Sequence, residues 1–233
     1  DKAFAEHVTA AYRQLVAEPQ EPSLGSKSQA LVLIGDHYHP PDYIRPPIEA
    51  AMKSAGLPAR FLYDVSQLGP DVLRHYRLLV ILRDGLTWPD PNSGKPQWWM
   101  TDRQERAVIA FVRSGGGLLA LHNANALRPW TQKDNPAPLL KVLGCQYDGH
   151  GGSQDKVEVR VLAKDHAITR GVVDFSVVDE RHRPRLLADD AVPLLQAASG
   201  SETSVAGYVR TEGEGRIFYL SLGHNAQVLD MPQ

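Results

Sequence analysis

The sequence predicts an α/β fold in three layers: a mostly parallel sheet flanked by helices, with antiparallel additions in the C-terminal half. Three observations carry this reading. Short apolar runs such as 78–82 (LLVIL) and 117–121 (GLLAL) lack polar alternation, which marks strands buried on both faces. A helical pattern at 101–114 separates those two runs, and strand–helix–strand alternation means parallel pairing through crossover connections. Beyond residue 155 the runs alternate apolar and polar, the pattern of half-exposed strands.

Residues 3–17 read as an amphipathic helix packed on the outside, and the linker after it ends at residue 28. The chain therefore divides into 1–28 and a single domain, 29–233, since no linker separates the two halves of the latter. Residues 30–35 (ALVLIG) form the first strand, closed by Gly35. A helix follows at 43–56, where Pro46 and Pro47 suit a helix start and Ile48, Ala51 and Met52 share one face. Residues 60–65 form a strand and 71–76 one or two helical turns. The clearest helix is 101–114: Thr101 and Gln104 make a capping box, Val108, Ile109, Phe111 and Val112 the buried stripe, and Gly115 the stop. Strands are expected at 156–162, 175–178, 192–198, 205–210 and 216–222, with Gly213-Glu214-Gly215 turning between the last two. The Pro-rich stretches 18–23, 40–47 and 89–96 are loops.

Composition narrows the function classes. The 233 residues carry 25 Lys+Arg against 27 Asp+Glu, a net charge of −2, without the cationic excess that nucleic-acid binders use on phosphates. A hydrophobic share of 42% with 22% charged residues supplies a core and excludes disorder. No apolar run approaches the roughly 20 residues of a membrane span. The single cysteine, Cys145, excludes an internal disulfide and a Cys-only metal site, and reads as a small buried hydrophobe. The chain begins at Asp1, which fits removal of a leader and leaves both cytoplasm and periplasm open. Oligomeric state is not legible.

Ligands of open parallel sheets bind beyond the carboxyl ends of the strands. Four polar clusters stand there: Asp36-His37-Tyr38-His39, Arg83-Asp84, His122-Asn123 and His224-Asn225, holding four of the nine histidines. A Gly-rich turn adds His150, and Asp179-Glu180 follows a short apolar strand. His122 and His224 are the expected proton carriers, Glu180 the base and Asp179 its structural neighbour. Asp36, His37, His39, Arg83, Asp84, Asn123 and His150 are the expected substrate-binding groups. Trp88, Trp98 and Trp99 suit either stacking on a sugar ring or anchoring a loop. His166 reads as a turn cap. His182, among Arg181, Arg183 and Arg185, reads as surface.

An ordered set of motifs runs through the chain: Gly115-Gly116-Gly117, Ala120-Leu121-His122-Asn123-Ala124, Gly149-His150, Asp165-His166-Ala167-Ile168 with Gly171, Asp179-Glu180, and Gly213-Glu214-Gly215-Arg216-Ile217-Phe218-Tyr219 leading into Leu222-Gly223-His224. In these residues, from about 30 to 233, the chain resembles the ThuA-like (trehalose utilisation) family, which has a class I glutamine amidotransferase-like, flavodoxin-like fold. It departs from the family pattern at Ala167, where Pro is common, and near Arg181-His182 and Tyr208, where a Tyr and a Trp are common. The resemblance implies a bacterial protein of carbohydrate catabolism, working beside oxidoreductases that make 3-keto sugars. It does not imply glutamine hydrolysis, because His122 occupies the turn where amidotransferases carry their nucleophilic cysteine.

The chemistry then has two routes. Neutral histidines with a carboxylate hold a divalent ion, zinc being suited to such donors, with His122, His150 and His224 as the ligands. The same residues could carry protons instead, enolising a keto-disaccharide or glycoside with isomerisation or loss of the glycosidic bond. The absence of any His-x-x-x-His pair leaves the choice to tertiary assembly. The alternative is a sugar-binding module that kept the cleft without catalysis. In every case the partner is a small carbohydrate, with neither nucleic acid nor a membrane span.

Overall fold

The computed structural model describes residues 29–90, 94–129 and 134–231. The expected N-terminal helix at 3–17 and Trp130 lie outside them. A nine-stranded sheet runs through the described residues in the order β2-β1-β3-β6-β13-β12-β11-β8-β9. Its strands are β1 (Ala30–Ile34), β2 (Ala59–Leu62), β3 (Leu78–Leu82), β6 (Gly117–Leu121), β8 (Asp155–Val161), β9 (Phe175–Asp179), β11 (Val192–Ser199), β12 (Glu202–Glu212) and β13 (Gly215–Leu220). From β2 to β13 every pairing is parallel, and from β13 to β9 every pairing is antiparallel. β13, expected among the antiparallel additions, is the joint: it pairs in parallel with β6 and antiparallel with β12. Two ribbons lie outside this sheet, β4 (Leu86–Thr87) with β5 (Gln97–Trp98), and β7 (Cys145–His150) with β10 (His182–Leu186).

Helices cover both faces, as buried strands require. Leu31, Leu33, Leu79, Ile81, Leu118 and Ala120 point to one face, where α2 (Pro70–Leu73), α3 (Asp102–Arg113) and α4 (Pro138–Leu143) close the largest core. Ala30, Val32, Ile34, Val80 and Leu82 point to the other, under α1 (Pro41–Ser54) and α5 (Ala226–Leu229). α3 carries the capping box expected for it: Gln104 N–H donates to Thr101 Oγ1 and Thr101 N–H to Gln104 Oε1. The start of α1 differs from the expectation. Pro41 opens the helix, so Pro46 and Pro47 lie inside it and 40–47 is mostly helical and not a loop. These prolines deprive only the carbonyls of Asp42 and Tyr43 of an intrahelical partner, and both residues are exposed to water.

Four short strands are not legible in sequence: β4, β5, β7 and β10. β7 was hidden in what looks like a Gly-rich turn, and β10 in a basic segment holding a proline. Both belong to a short ribbon packed beside the main sheet, where register and not hydrophobic alternation decides pairing. Their register sets His150 opposite His182.

Candidate active site

β1 lies between β2 and β3, so the crossovers on its two sides diverge and a crevice opens at its carboxyl end. Gly35 leaves β1 at φ +90°, a left-handed conformation suited to glycine. Asp36 then folds the loop back. Its side chain is fully buried and accepts from the amides of Tyr38 (2.8 Å), His39 (2.9 Å) and Asp84 (3.2 Å), from Asn123 Nδ2 (2.9 Å) and from His39 Nδ1 (2.9 Å). Burial by itself would raise the Asp36 pKa. The His39 imidazole, then Asn123 and the Tyr38 amide, hold it at about 2. Asp36 thus sits beneath the crevice with its oxygens engaged, binding the β1 and β3 ends together.

His122 closes β6 at φ +49°, the one non-glycine residue in the left-handed region among the described residues. That turn aims its ring inward, where it is 0% exposed. Its Nδ1 lies 3.0 Å from the Ser221 carbonyl, which fixes the proton there and leaves Nε2 buried and without a hydrogen-bond partner. Burial, then the neighbouring His182 and His39, push its pKa well down, so the ring stays neutral. Tyr219 Oη donates to the His122 carbonyl at 2.9 Å and holds the turn from below.

His224 stands after β13. Asp179, at the end of β9, accepts from the Gly223 and His224 amides at 2.8 and 3.1 Å and so fixes that loop. Burial raises this carboxyl to about 6. The next residue, Glu180, is the centre of the group. Its Oε1 lies 3.2 Å from His182 Nε2, 3.8 Å from His122 Nε2 and 3.9 Å from His224 Nδ1, while Oε2 lies 3.5 Å from His150 Nδ1. Burial opposes ionisation of Glu180, but the hydrogen bond from His182 and the surrounding imidazoles outweigh it and lower the pKa. His39 completes the group, with Nε2 3.2 Å from His224 Nδ1.

His39, His150, Glu180, His182 and His224 line one cavity of about 270 Å³, with Tyr38, Asp84, Asn123 and Tyr147 in its walls, while His122, fully buried, is not part of the lining. That volume is close to the lower end of small-ligand pockets, ~300 Å³. Asp84 is raised to about 6, by burial first and then by the charge of Asp36, and accepts from the Leu86 amide at 2.9 Å.

Of the residues expected at the site, His39, Asp84, His122, Asn123, His150, Glu180 and His224 come together. His150 is on the rim, with its side chain 46% exposed. Arg83 is buried under Trp99, 4.9 Å from that ring, and donates to the Asp84 carbonyl, so it supports the strand end from outside the cavity. His37 stacks on Trp88 at 4.4 Å, exposed and outside the cavity lining. One correction concerns a ring. His182 is not on the surface but 5% exposed, its centroid 4.1 Å from that of His122. Asn125, unread in sequence, holds it with Oδ1 3.3 Å from Nδ1. In sequence the neighbouring arginines suggest solvent, but Arg181 is itself buried and paired with Glu202, so no alternation marks His182 as inward. His166 accepts from the Ile168 amide, in keeping with a turn cap, and Cys145 is buried with its thiol pushed up to about 12.

A family model described as ThuA, trehalose utilisation, matches residues 30–233. No curated protein matches the chain. Among solved structures, a ThuA-like protein from Bacteroides uniformis superposes with a TM-score of 0.62 at 17% identity, over 90% of this chain and 87% of that one. One from Parabacteroides merdae gives 0.66 at 18% identity, over 88% and 87%. A cold-adapted β-galactosidase from Rahnella sp. R3 gives 0.57 at 15% identity, over 87% of this chain but 30% of that one. At these identities the likeness is one of fold.

Proposed function

The chain belongs to the ThuA (trehalose utilisation) family, and on that premise we propose that it is an enzyme of carbohydrate breakdown acting on an oxidised, 3-keto disaccharide or glycoside. The observation that supports this most directly is the set of four imidazoles at 3.2–3.9 Å from Glu180, of which His150, His182 and His224 line one cavity with it. A sugar carbonyl acidifies the C–H bond beside it. Glu180, kept ionised, takes that proton, and the electron pair moves into the carbonyl to give an enolate. The ring of His224, which lines the cavity, faces the developing oxygen charge. Return of the pair expels the glycosidic oxygen from the adjacent carbon, and the leaving oxygen takes up the proton that Glu180 removed. Reprotonation of the carbon instead gives an isomer. Asp84 and Asn123 supply hydrogen bonds to sugar hydroxyls, and Tyr38 and Tyr147 supply flat walls.

The test compares parent and Glu180→Gln protein on a 3-keto-glycoside and on the unoxidised sugar. Glu180→Gln keeps the shape and removes the base, so turnover and solvent-deuterium uptake beside the carbonyl should fall by about 10²–10⁴-fold. Parent-level turnover in Glu180→Gln would refute the assignment. Tight binding of an unoxidised disaccharide with no chemical change would favour the non-catalytic binding module.

A further inference from the structure

We propose that His39, His122 and His224 form a site for one divalent transition-metal ion, zinc or a similar borderline-soft ion, with an open coordination position facing Glu180. Only the role of the ion rests on the catalytic reading of the cavity; its binding does not.

Three observations carry this. The first is the buried Nε2 of His122, unpartnered and within reach of two further imidazole nitrogens: the ligand atoms of His39, His122 and His224 all lie within 4.8 Å of one another. The second is the pattern behind the rings. Metal-binding histidines donate their other N–H to a carboxylate or a backbone carbonyl, which fixes the tautomer and presents the lone pair. His39 does so to Asp36 at 2.9 Å and His122 to the Ser221 carbonyl at 3.0 Å. The third is spacing. Two nitrogens on one tetrahedral ion at ~2.05 Å are about 3.3 Å apart, and His39 Nε2 and His224 Nδ1 are separated by 3.2 Å.

A hydrogen bond between His39 and His224 would account for that pair but would leave the His122 lone pair unmatched. A second possible group, His122, Glu180 and His182, shares His122. One lone pair serves one ion, so the two groups compete for it and do not make a pair of sites. The three-imidazole group is favoured because His182 Nε2 is already hydrogen-bonded to Glu180 at 3.2 Å and because this group leaves the Glu180 carboxylate uncoordinated beside the open position. His150, expected as a ligand from sequence, is replaced by His39. Three nitrogen donors do not suit magnesium or calcium, which take oxygen ligands. Beside Glu180 the ion would polarise a sugar carbonyl as a Lewis acid.

The test uses the full chain without a histidine tag, stripped by chelator and titrated with Co²⁺ and then Zn²⁺. The expected result is one ion per chain, with the intense visible absorption of four- or five-coordinate cobalt, bleached by zinc. His224→Ala, on a half-buried loop, and His122→Asn, which tolerates the left-handed turn, should each weaken binding at least 100-fold. His75→Ala, far from the group in sequence and outside the cavity lining, should leave it unchanged. Absence of the cobalt band, or equal affinity in parent and His224→Ala, would overturn the metal site. Sugar turnover is read separately. Full turnover by stripped protein that binds no ion would remove the metal and keep the enzyme, while tight binding of one ion without action on any keto-sugar would do the reverse.

Discussion

Asp36→Asn should destabilise the protein by about 2–6 kcal/mol although it changes one atom. Asp36 Oδ1 receives the amides of Tyr38 and His39, and Oδ2 receives the Asp84 amide and Asn123 Nδ2. An asparagine can offer an oxygen to only one of these pairs. Whichever way the amide turns, its NH₂ faces two donors, and a buried donor left without an acceptor costs about 1–3 kcal/mol. That is a large part of the ~5–15 kcal/mol that holds a typical domain together. Urea unfolding of the full chain at neutral pH is the assay. At ~2 kcal/mol per molar, the middle of the usual range of slopes, the midpoint should fall by roughly 1–3 M. A midpoint within a few tenths of a molar of the parent's would mean that the Asp36 contacts do not tie the β1 and β3 ends together, and the account of how the site is braced would fail.

Asp84→Asn should act in the opposite sense, and only above mildly acid pH. The folded carboxyl is raised to about 6 from an ordinary 3.8, so the folded state holds its proton more tightly and stability falls as pH rises through that window. The substitution keeps an acceptor for the Leu86 amide. It should be near neutral at pH 4 and stabilising by up to about 3 kcal/mol above pH 6; a pH-independent effect in thermal or urea unfolding would contradict the shift. Gly215→Ala tests the packing of β13 on the end of α3. A Cβ there would lie 2.0 Å from the Val112 carbonyl oxygen and 2.7 Å from that of Gly116, both backbone atoms that cannot turn aside. A loss of at least ~1–3 kcal/mol is expected, and parent-like unfolding would show that the helix end yields.

Much of the architecture is legible in sequence because its signals are local. The LLVIL run of β3 and the Thr101/Gln104 box of α3 are written within single elements, and the first three pairings across the sheet, β2–β1, β1–β3 and β3–β6, follow from strand–helix alternation. The prolines of α1 misled because a local rule places Pro46 and Pro47 at a helix start, whereas here they lie inside the helix, and the carbonyls they leave unpaired belong to the exposed Asp42 and Tyr43. Arg83 and His37 stand at strand ends as expected, yet one turns under Trp99 and the other out to Trp88. Position along a strand gives the end of the sheet but not the direction of a side chain that follows it.

The sequence by itself determined the family, the sheet and the edge at which its polar residues gather, since these depend on patterns a few residues long. Which of those residues meet was decided by the tertiary structure. His39 reaches His224 across 185 positions, Asn123 reaches Asp36 across 87, and His182 faces His150 through the register of a ribbon that carries no apolar signature. Such meetings are set by the relative placement of whole elements and by buried hydrogen bonds that lock each ring. Neither is encoded in any one stretch of chain.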